Sequence, residues 1–223
     1  MTTGAPRDIT PLLTNGYQVK IGEYISRGWE LLQPKIGIFI GYVAVLFGVN
    51  LVLAFIPIVG SIGSFVVSPP LNAGLFIVAY KHLLGEPVEF GDFFKGFDKF
   101  SVFFLAALVS GLLTMLGIIV CIVPGIYLGV AYSFVQLLII DQNLEFWPAM
   151  ELSRQLITKN FFPMFGFILL LGLINFGGVL VCGLGLLVTL PLTYCAMAIA
   201  YMDIMNQGAT SGGGTLGEPG SYS

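Results

Sequence analysis

The sequence predicts an all-α fold, a polytopic membrane bundle of six transmembrane helices in three hairpins, each preceded by an interfacial amphipathic helix. Three observations lead to this prediction. Hydrophobic residues make up 57% of the 223-residue chain and charged residues only 9%, whereas soluble domains average about a quarter charged residues. Three long apolar blocks carry no charge, and the charges lie outside those blocks. The expected natural solvent is therefore lipid.

Each apolar block predicts one helical hairpin. The blocks run from Ile36 to Tyr80, from Ser101 to Ile140 and from Phe161 to Met202. Each is about twice the roughly 20 residues that cross a bilayer as a helix. Turn-forming residues interrupt each block near its middle, at Pro57–Gly63, Gly117–Gly125 and Gly177–Gly185. We therefore expect a membrane domain over residues 19–206, with hairpins at about 36–80, 101–140 and 161–206.

The charged segments before the hairpins show helical spacing of apolar residues. One example is the phenylalanine set Phe90, Phe93, Phe94, Phe97 and Phe100, which alternates with Asp92, Lys95, Asp98 and Lys99. Such segments are typical of helices that lie flat at a membrane surface. Tryptophan prefers that depth, and both tryptophans of the chain fall in these segments. The predicted interfacial anchors are Trp29, Phe93, Phe97 and Trp147.

Basic residues precede every predicted hairpin, among them Lys20, Lys95 and Arg154. With six crossings, all of these segments fall on one side of the membrane, and the positive-inside rule makes that side cytoplasmic. Both termini are then cytoplasmic. The polar segment 1–18 has no apolar core typical of a signal peptide. The Gly- and Ser-rich tail 207–223 is expected to be disordered.

Two hairpins contain the same eleven-residue pattern. "PLNAGLFIVAY" spans Pro70–Tyr80, and "PLTYCAMAIAY" spans Pro191–Tyr201. The pattern indicates that an interfacial helix followed by a hairpin is a repeated unit, with the first and third copies most alike. The repeats run parallel, since each begins on the same side, and parallel repeats do occur in transporters.

A longer stretch resembles a known family. The segment "IVPGIYLGVAYSFVQLLIIDQNLEFWPAMELSRQLITKNFF", together with "FGDFFKGFDKF" and "LPLTYCAMAIAY", resembles a broad family of prokaryotic integral membrane proteins of uncharacterised function. That family is similar to the membrane domain of some glycerophosphoryl diester phosphodiesterases. The likeness covers about residues 80–205. It implies a six-helix domain without an assigned reaction, in a prokaryotic inner or internal membrane.

Four amides are the most polar side chains inside the predicted spans: Asn50, Asn72, Gln136 and Asn175. One interpretation is interhelical hydrogen bonding, worth on the order of 0.6 kcal/mol per bond in a membrane. The other is that they line a substrate pathway. No ionisable residue lies inside a predicted span, which disfavours a proton-coupled transporter, because such proteins place ionisable groups there.

The sequence contains few residues in the patterns that are typical of metal, cofactor or nucleic-acid binding. The single histidine, His82, has no Cys or Glu at ligand spacing, so we expect no metal site and no cofactor. The basic residues form no cluster that would indicate a nucleic-acid partner.

The sequence favours a non-enzymatic protein that organises the bilayer or serves as a scaffold at the cytoplasmic face. Its expected partners are the lipid bilayer, other proteins or a second copy of itself. The alternative is a small-molecule or lipid transporter or channel.

Overall fold

The computed structural model describes residues 9–181 and 183–211, and the regular elements in those ranges are helical. The all-α prediction is therefore confirmed. Residues 1–8 of the predicted N-terminal segment and residues 212–223 of the predicted tail lie outside the described residues. The α-helices are α1 (Thr10–Asn15), α2 (Ile21–Leu32), α3 (Ile36–Ala54), α4 (Pro57–Leu83), α5 (Phe100–Val120), α6 (Ile122–Ala131), α7 (Val135–Gln142), α8 (Phe146–Lys159), α9 (Phe161–Leu180) and α10 (Leu186–Ser211).

Six helical stretches within the described ranges are long and apolar enough to cross a membrane, as the sequence predicts. They cover Ile21–Val52, Gly63–Leu83, Phe90–Val120, Ile122–Gln142, Phe161–Leu180 and Leu186–Gly208. A bilayer core of about 30 Å needs roughly 20 helical residues. The chain is therefore a multi-pass membrane protein by the length and composition of its helices.

Two of these stretches begin earlier than the hairpin boundaries expected at residues 36 and 101. Helix α2 passes through a single 3-10 turn, Gln33–Lys35, directly into α3. A 3-10 helix, Phe90–Lys99, likewise continues into α5. The charged segment and the apolar helix after it thus share one helical backbone in both places. Only Asn160 separates α8 from α9.

The 3-10 geometry of Phe90–Lys99 changes which side chains face inward. With three residues per turn, Phe93 and Gly96 lie on the same face and are buried. Phe93 is fully buried, and its ring stacks on that of Tyr42 at 4.1 Å. It is therefore a core residue, in contrast to the outward anchor that α-helical spacing suggested. Phe90 and Phe97 remain about two-fifths exposed, at 43% and 38%.

The same 3-10 helix carries a buried carboxylate. Asp92 accepts a hydrogen bond from the Glu89 N–H at 3.0 Å, which caps the helix start. It also pairs with Lys81 at 2.8 Å and with Lys95 at 2.5 Å. Buried charges need such partners, so Asp92 connects this segment to the end of α4.

Glycines allow the 3-10 helix and α4 to touch backbone to backbone. A Cβ atom at Gly74 would overlap the Phe93 carbonyl oxygen, and one at Gly96 would overlap the Pro70 carbonyl oxygen. Small residues permit this approach in membrane proteins. The Tyr42 hydroxyl donates to the Leu71 carbonyl at 2.9 Å in the same region, so α3, α4 and the 3-10 helix form one packed unit.

Helices α4 and α10 run in the same direction side by side. The ring of Phe76 packs against Tyr194 at 4.6 Å, and Tyr80 packs against Tyr201 at 6.4 Å. Tyr80 and Tyr201 close the two copies of the repeated pattern, so the ends of the two copies meet in the bundle.

The N-terminal elements cover the end of α10. The Tyr24 hydroxyl on α2 donates to the Asp203 carboxylate at 2.7 Å, and Gly28 packs on Ala196. The Gln18 N–H donates to the Gln207 side chain at 2.8 Å. Helix α10 continues to Ser211, beyond the boundary at 206 expected for the tail.

Replacing Gly96 tests the backbone contact with α4. We expect Gly96→Ala to lower the free energy of unfolding by about 1–3 kcal/mol, because the new methyl group is forced against the Pro70 carbonyl. Gly91→Ala is the matched control, since it lies on the same 3-10 helix and a Cβ there meets nothing within 4 Å. Thermal unfolding in detergent micelles, followed by tryptophan fluorescence, measures both. Equal midpoints for the two variants would contradict the proposed contact.

Candidate functional site

The fourth candidate span is a broken helix. Helix α6 ends at Ala131 and α7 begins at Val135, with a turn between them. Val135 N–H bonds to the Tyr132 carbonyl at 3.3 Å instead of the carbonyl four residues back. The break falls near the middle of Ile122–Gln142. It contains neither proline nor glycine.

A side chain from another helix satisfies the broken backbone. The Ser153 hydroxyl on α8 donates to the Ala131 carbonyl at 2.6 Å and accepts from the Phe134 N–H at 3.3 Å. Ser153 is fully buried. Unpaired backbone groups cost several kcal/mol in hydrocarbon, so this one hydroxyl stabilises the interruption at both ends.

A groove of about 660 Å³ runs beside the break, between α5 and the α6–α7 pair. Its walls are mostly apolar, and Met115 and Ile119 on its rim are exposed. This part of the surface carries no charge, so the groove opens towards the hydrocarbon of the bilayer. The lining residues on α5 include Ala106, Ser110, Gly111, Thr114, Met115 and Ile119. The opposite wall includes Gly129, Tyr132, Val135 and Gln136.

Two polar atoms near the break lack a hydrogen-bond partner among the described residues. They are the hydroxyl oxygen of Ser133 and the amide oxygen of Gln136, and both atoms are buried. The Ser110 hydroxyl in the groove, by contrast, donates to the Ala106 carbonyl at 2.6 Å. Buried polar groups normally find partners. The break therefore combines an apolar groove with unused hydrogen-bonding capacity.

A partly buried polar cluster surrounds Asp141, which lies about one and a half helical turns after Gln136 on α7. The Tyr201 hydroxyl donates to one oxygen of the Asp141 carboxylate at 2.7 Å, and the Tyr80 hydroxyl donates to the other. Gln142 donates to the Tyr201 oxygen at 3.5 Å. The two tyrosines that close the repeated pattern, on α4 and α10, thus share one carboxylate from α7.

The four amides singled out in the sequence occupy different settings. Asn72 accepts from the Tyr194 hydroxyl at 2.7 Å, and Asn175 donates to the Thr193 hydroxyl at 2.8 Å, so each bonds to α10. Asn50 is exposed and donates to Leu46 on its own helix at 2.8 Å. Gln136 lines the groove. Of the four, only Gln136 belongs to the candidate site.

The four predicted interfacial anchors differ in their exposure. Trp29 and Trp147 are 39% and 61% exposed, and Phe97 is exposed to a similar extent as Trp29. Phe93 is in the core. The outward aromatic side chains therefore lie on α2, on α8 and on the 3-10 helix, in the charged part of the chain.

Charge pairs on α8 lie outside the candidate site. Glu151 accepts two hydrogen bonds from the Arg154 guanidinium, at 2.6 and 3.0 Å. This guanidinium, together with the Gln155 amide, lowers the pKa of Glu151 to about 2. Both side chains are more than two-fifths exposed, so the pair is ionised at neutral pH but adds little stability. Among the described residues, no three His, Cys, Asp or Glu side chains group closely enough to hold a metal ion.

Sequence reasoning missed Ser153 and Asp141 as structural centres. In the sequence, Ser153-Arg154 before the third apolar block only repeats Ser26-Arg27 before the first. A third copy of the Ala-Tyr ending, Ala131-Tyr132, could have marked the end of α6, since the other copies are Ala79-Tyr80 and Ala200-Tyr201.

Comparison of the chain with models of protein families, with curated proteins and with solved structures finds no match. Function therefore has to be inferred from the geometry of the chain itself.

Removing the Ser153 hydroxyl tests how the break is stabilised. We expect Ser153→Ala to lower the free energy of unfolding by about 1–3 kcal/mol, because a buried carbonyl and a buried N–H lose their partner. Ser26→Ala is the matched control, since Ser26 is the corresponding residue of the first copy and is exposed. Unfolding in detergent micelles compares the two variants. A loss no greater than that of Ser26→Ala would show that the hydroxyl does not support the break.

Proposed function

We propose that the chain is a non-enzymatic membrane protein that takes a lipid-type amphiphile from the bilayer into the groove beside the broken helix. The observation that carries this proposal is an uncharged lateral groove lined by Gln136, whose amide oxygen is buried and has no hydrogen-bond partner among the described residues. Ligand sites are typically apolar clefts with a few polar groups, and their volumes are about 300–1,000 Å³. The groove, at about 660 Å³, falls within that range.

The length of the groove suits one acyl chain. Its α5 wall extends from Ala106 to Ile119, which is about 20 Å at a rise of 1.5 Å per residue. One leaflet of the hydrocarbon core is about 15 Å thick, half of roughly 30 Å. The protein would therefore cover one side of an acyl chain in the groove over the whole length of that acyl chain.

The broken helix supports the same function. Non-helical backbone at membrane depth is tolerated where it lines a cavity or is buried in protein, and transporters build binding sites from discontinuous helices. The Gln136 amide oxygen would accept a hydrogen bond from a hydroxyl group at the polar end of the ligand.

The membrane arrangement belongs to this proposal. We place three hairpins, α3–α4, α5 with α6–α7, and α9–α10, in a prokaryotic inner or internal membrane with both termini cytoplasmic. Each pair is in contact, and Tyr80, Asp141 and Tyr201 meet at the ends of the second helices. The proposal also agrees with the resemblance of residues 80–205 to a membrane-domain family without an assigned reaction.

The membrane-organising function favoured by the sequence rests on the outward aromatic residues Trp29, Phe97 and Trp147. They lie near charged side chains, which is the composition of a membrane–water interface. One protein can both bind a lipid in the groove and organise the membrane through its exposed aromatic residues. The two functions therefore need separate measurements.

Filling the groove tests lipid binding. We expect Gly111→Trp to weaken lipid retention roughly tenfold, equivalent to about 1.4 kcal/mol, because the indole occupies the groove that Gly111 lines. Gly172→Trp on α9 is the matched control, as both glycines are exposed, have nothing within 4 Å of an added Cβ and lie in candidate spans. Mass spectrometry of lipid that copurifies with each variant, and transfer of fluorescent lipid between vesicles, give the readouts.

Equal lipid retention and transfer in Gly111→Trp, Gly172→Trp and the wild type would rule out the groove as a binding site. If the wild type nevertheless changes the size or shape of liposomes, the membrane-organising function takes its place.

The orientation is tested with the native thiol Cys121. It is exposed at the turn between α5 and α6, whereas Cys195 is buried. We expect a membrane-impermeant maleimide to label Cys121 from outside intact cells in a Cys182→Ser background, because this turn lies opposite the charged segments. Lys95→Cys in a Cys121→Ser, Cys182→Ser background should be labelled only after the membrane is opened. If Lys95→Cys is labelled in intact cells and Cys121 is labelled only after the membrane is opened, the protein has the opposite orientation in the membrane.

A further inference from the structure

A second, smaller cavity of about 200 Å³ lies where α2 passes the end of α4. Apolar side chains form part of its wall, among them Leu31, Pro34 and Ile199. Three ionisable residues complete the lining: Arg27, Glu30 and His82. The cavity shares no lining residue with the groove.

His82 offers a hydrogen-bond acceptor in this cavity. The Nε2 atom of the imidazole ring has no hydrogen-bond partner among the described residues and is buried. In the neutral tautomer that carries its proton on Nδ1, the Nε2 atom is a hydrogen-bond acceptor.

The two charged side chains at the cavity carry opposite signs. Glu30 makes no ion pair within the described part of the chain. Arg27 contacts Glu23 at 3.3 Å through one terminal nitrogen, and a guanidinium has five N–H donors in all. The cavity thus combines two acceptors, on Glu30 and His82, with the guanidinium of Arg27.

We propose that this cavity binds a phosphodiester headgroup that carries a primary ammonium, of the phosphoethanolamine type. The Glu30 carboxylate and His82 Nε2 accept hydrogen bonds from the ammonium, which has three N–H donors. The Arg27 guanidinium binds the phosphate, a pairing that its planar donor geometry favours. The site needs only the membrane location of the chain and does not depend on ligand binding in the groove.

The same geometry disfavours the other common headgroups. A choline headgroup has no N–H to donate, so Glu30 would keep only a Coulombic attraction and His82 Nε2 would stay unpaired. A glycerol headgroup brings no positive charge to Glu30. His82 Nε2 is buried, and a site discriminates strongly against ligands that leave a buried acceptor unpaired.

The test compares lipids with identical acyl chains on the purified full chain in detergent micelles. Native mass spectrometry measures the retention of phosphatidylethanolamine, phosphatidylcholine and phosphatidylglycerol. We expect the wild type to retain the ethanolamine lipid about tenfold better than the choline lipid. Glu30→Gln and His82→Phe should each bring that ratio towards one. Glu86→Gln, an exposed carboxylate in the loop after α4, should leave it unchanged.

Thermal unfolding of each variant shows that a lost preference does not reflect unfolding. A parallel arm adds soluble phosphoethanolamine and measures its displacement of the bound lipid. Displacement at low concentration identifies the free headgroup compound as a ligand, and retention of the lipid identifies the membrane as the source; both support the headgroup chemistry. Equal retention of ethanolamine and choline lipids by the wild type, or an unchanged ratio in a folded Glu30→Gln, overturns the proposal. Loss of lipid from Gly111→Trp with this ratio intact would separate the two sites.

Discussion

The bundle depends on one carboxylate shared by two tyrosines. Asp141 receives the hydroxyl of Tyr80 on one oxygen and that of Tyr201 on the other. A carboxylate within a membrane-spanning bundle is costly unless it is partnered. The requirement for both partners sets α4, α7 and α10 at one common height. The parallel packing of Phe76 on Tyr194 and of Tyr80 on Tyr201 follows from that alignment.

The broken helix lies between two fixed ends. At one end α7 is held by Asp141, and at the other α6 touches α5, where Gly117 and Gly125 allow close backbone contact. The interruption at 132–134 lies in between. Ser153 satisfies the backbone groups that the interruption leaves, so the wall of the groove is irregular and still fully bonded at those two positions.

The parts of the fold that depend on composition could be predicted from the sequence. Six spans follow from uncharged length alone, and the Pro-to-Tyr repeat indicated that Tyr80 and Tyr201 end equivalent helices. Features that depend on tertiary partners could not be predicted. The break has no proline or glycine and is held by a serine from α8. Phe93 is buried because its segment is 3-10 helical and packs on Gly74. Asn50 and Asn175 share the same two interpretations in the sequence, yet Asn175 bonds to α10 and Asn50 bonds only to its own helix in the described structure.

The layer formed by Tyr80, Asp141 and Tyr201 also divides the two cavities by their chemistry. Along α7, Gln136 comes five residues before Asp141, on the apolar side of the layer. Along α4, which runs the same way, His82 comes two residues after Tyr80, on the charged side. Hydrogen bonds are strengthened by an apolar surrounding, so neutral polar groups suffice in the groove. Nearer to water, screening weakens each charge, and the proposed binding of a headgroup there therefore relies on Arg27, Glu30 and His82 together.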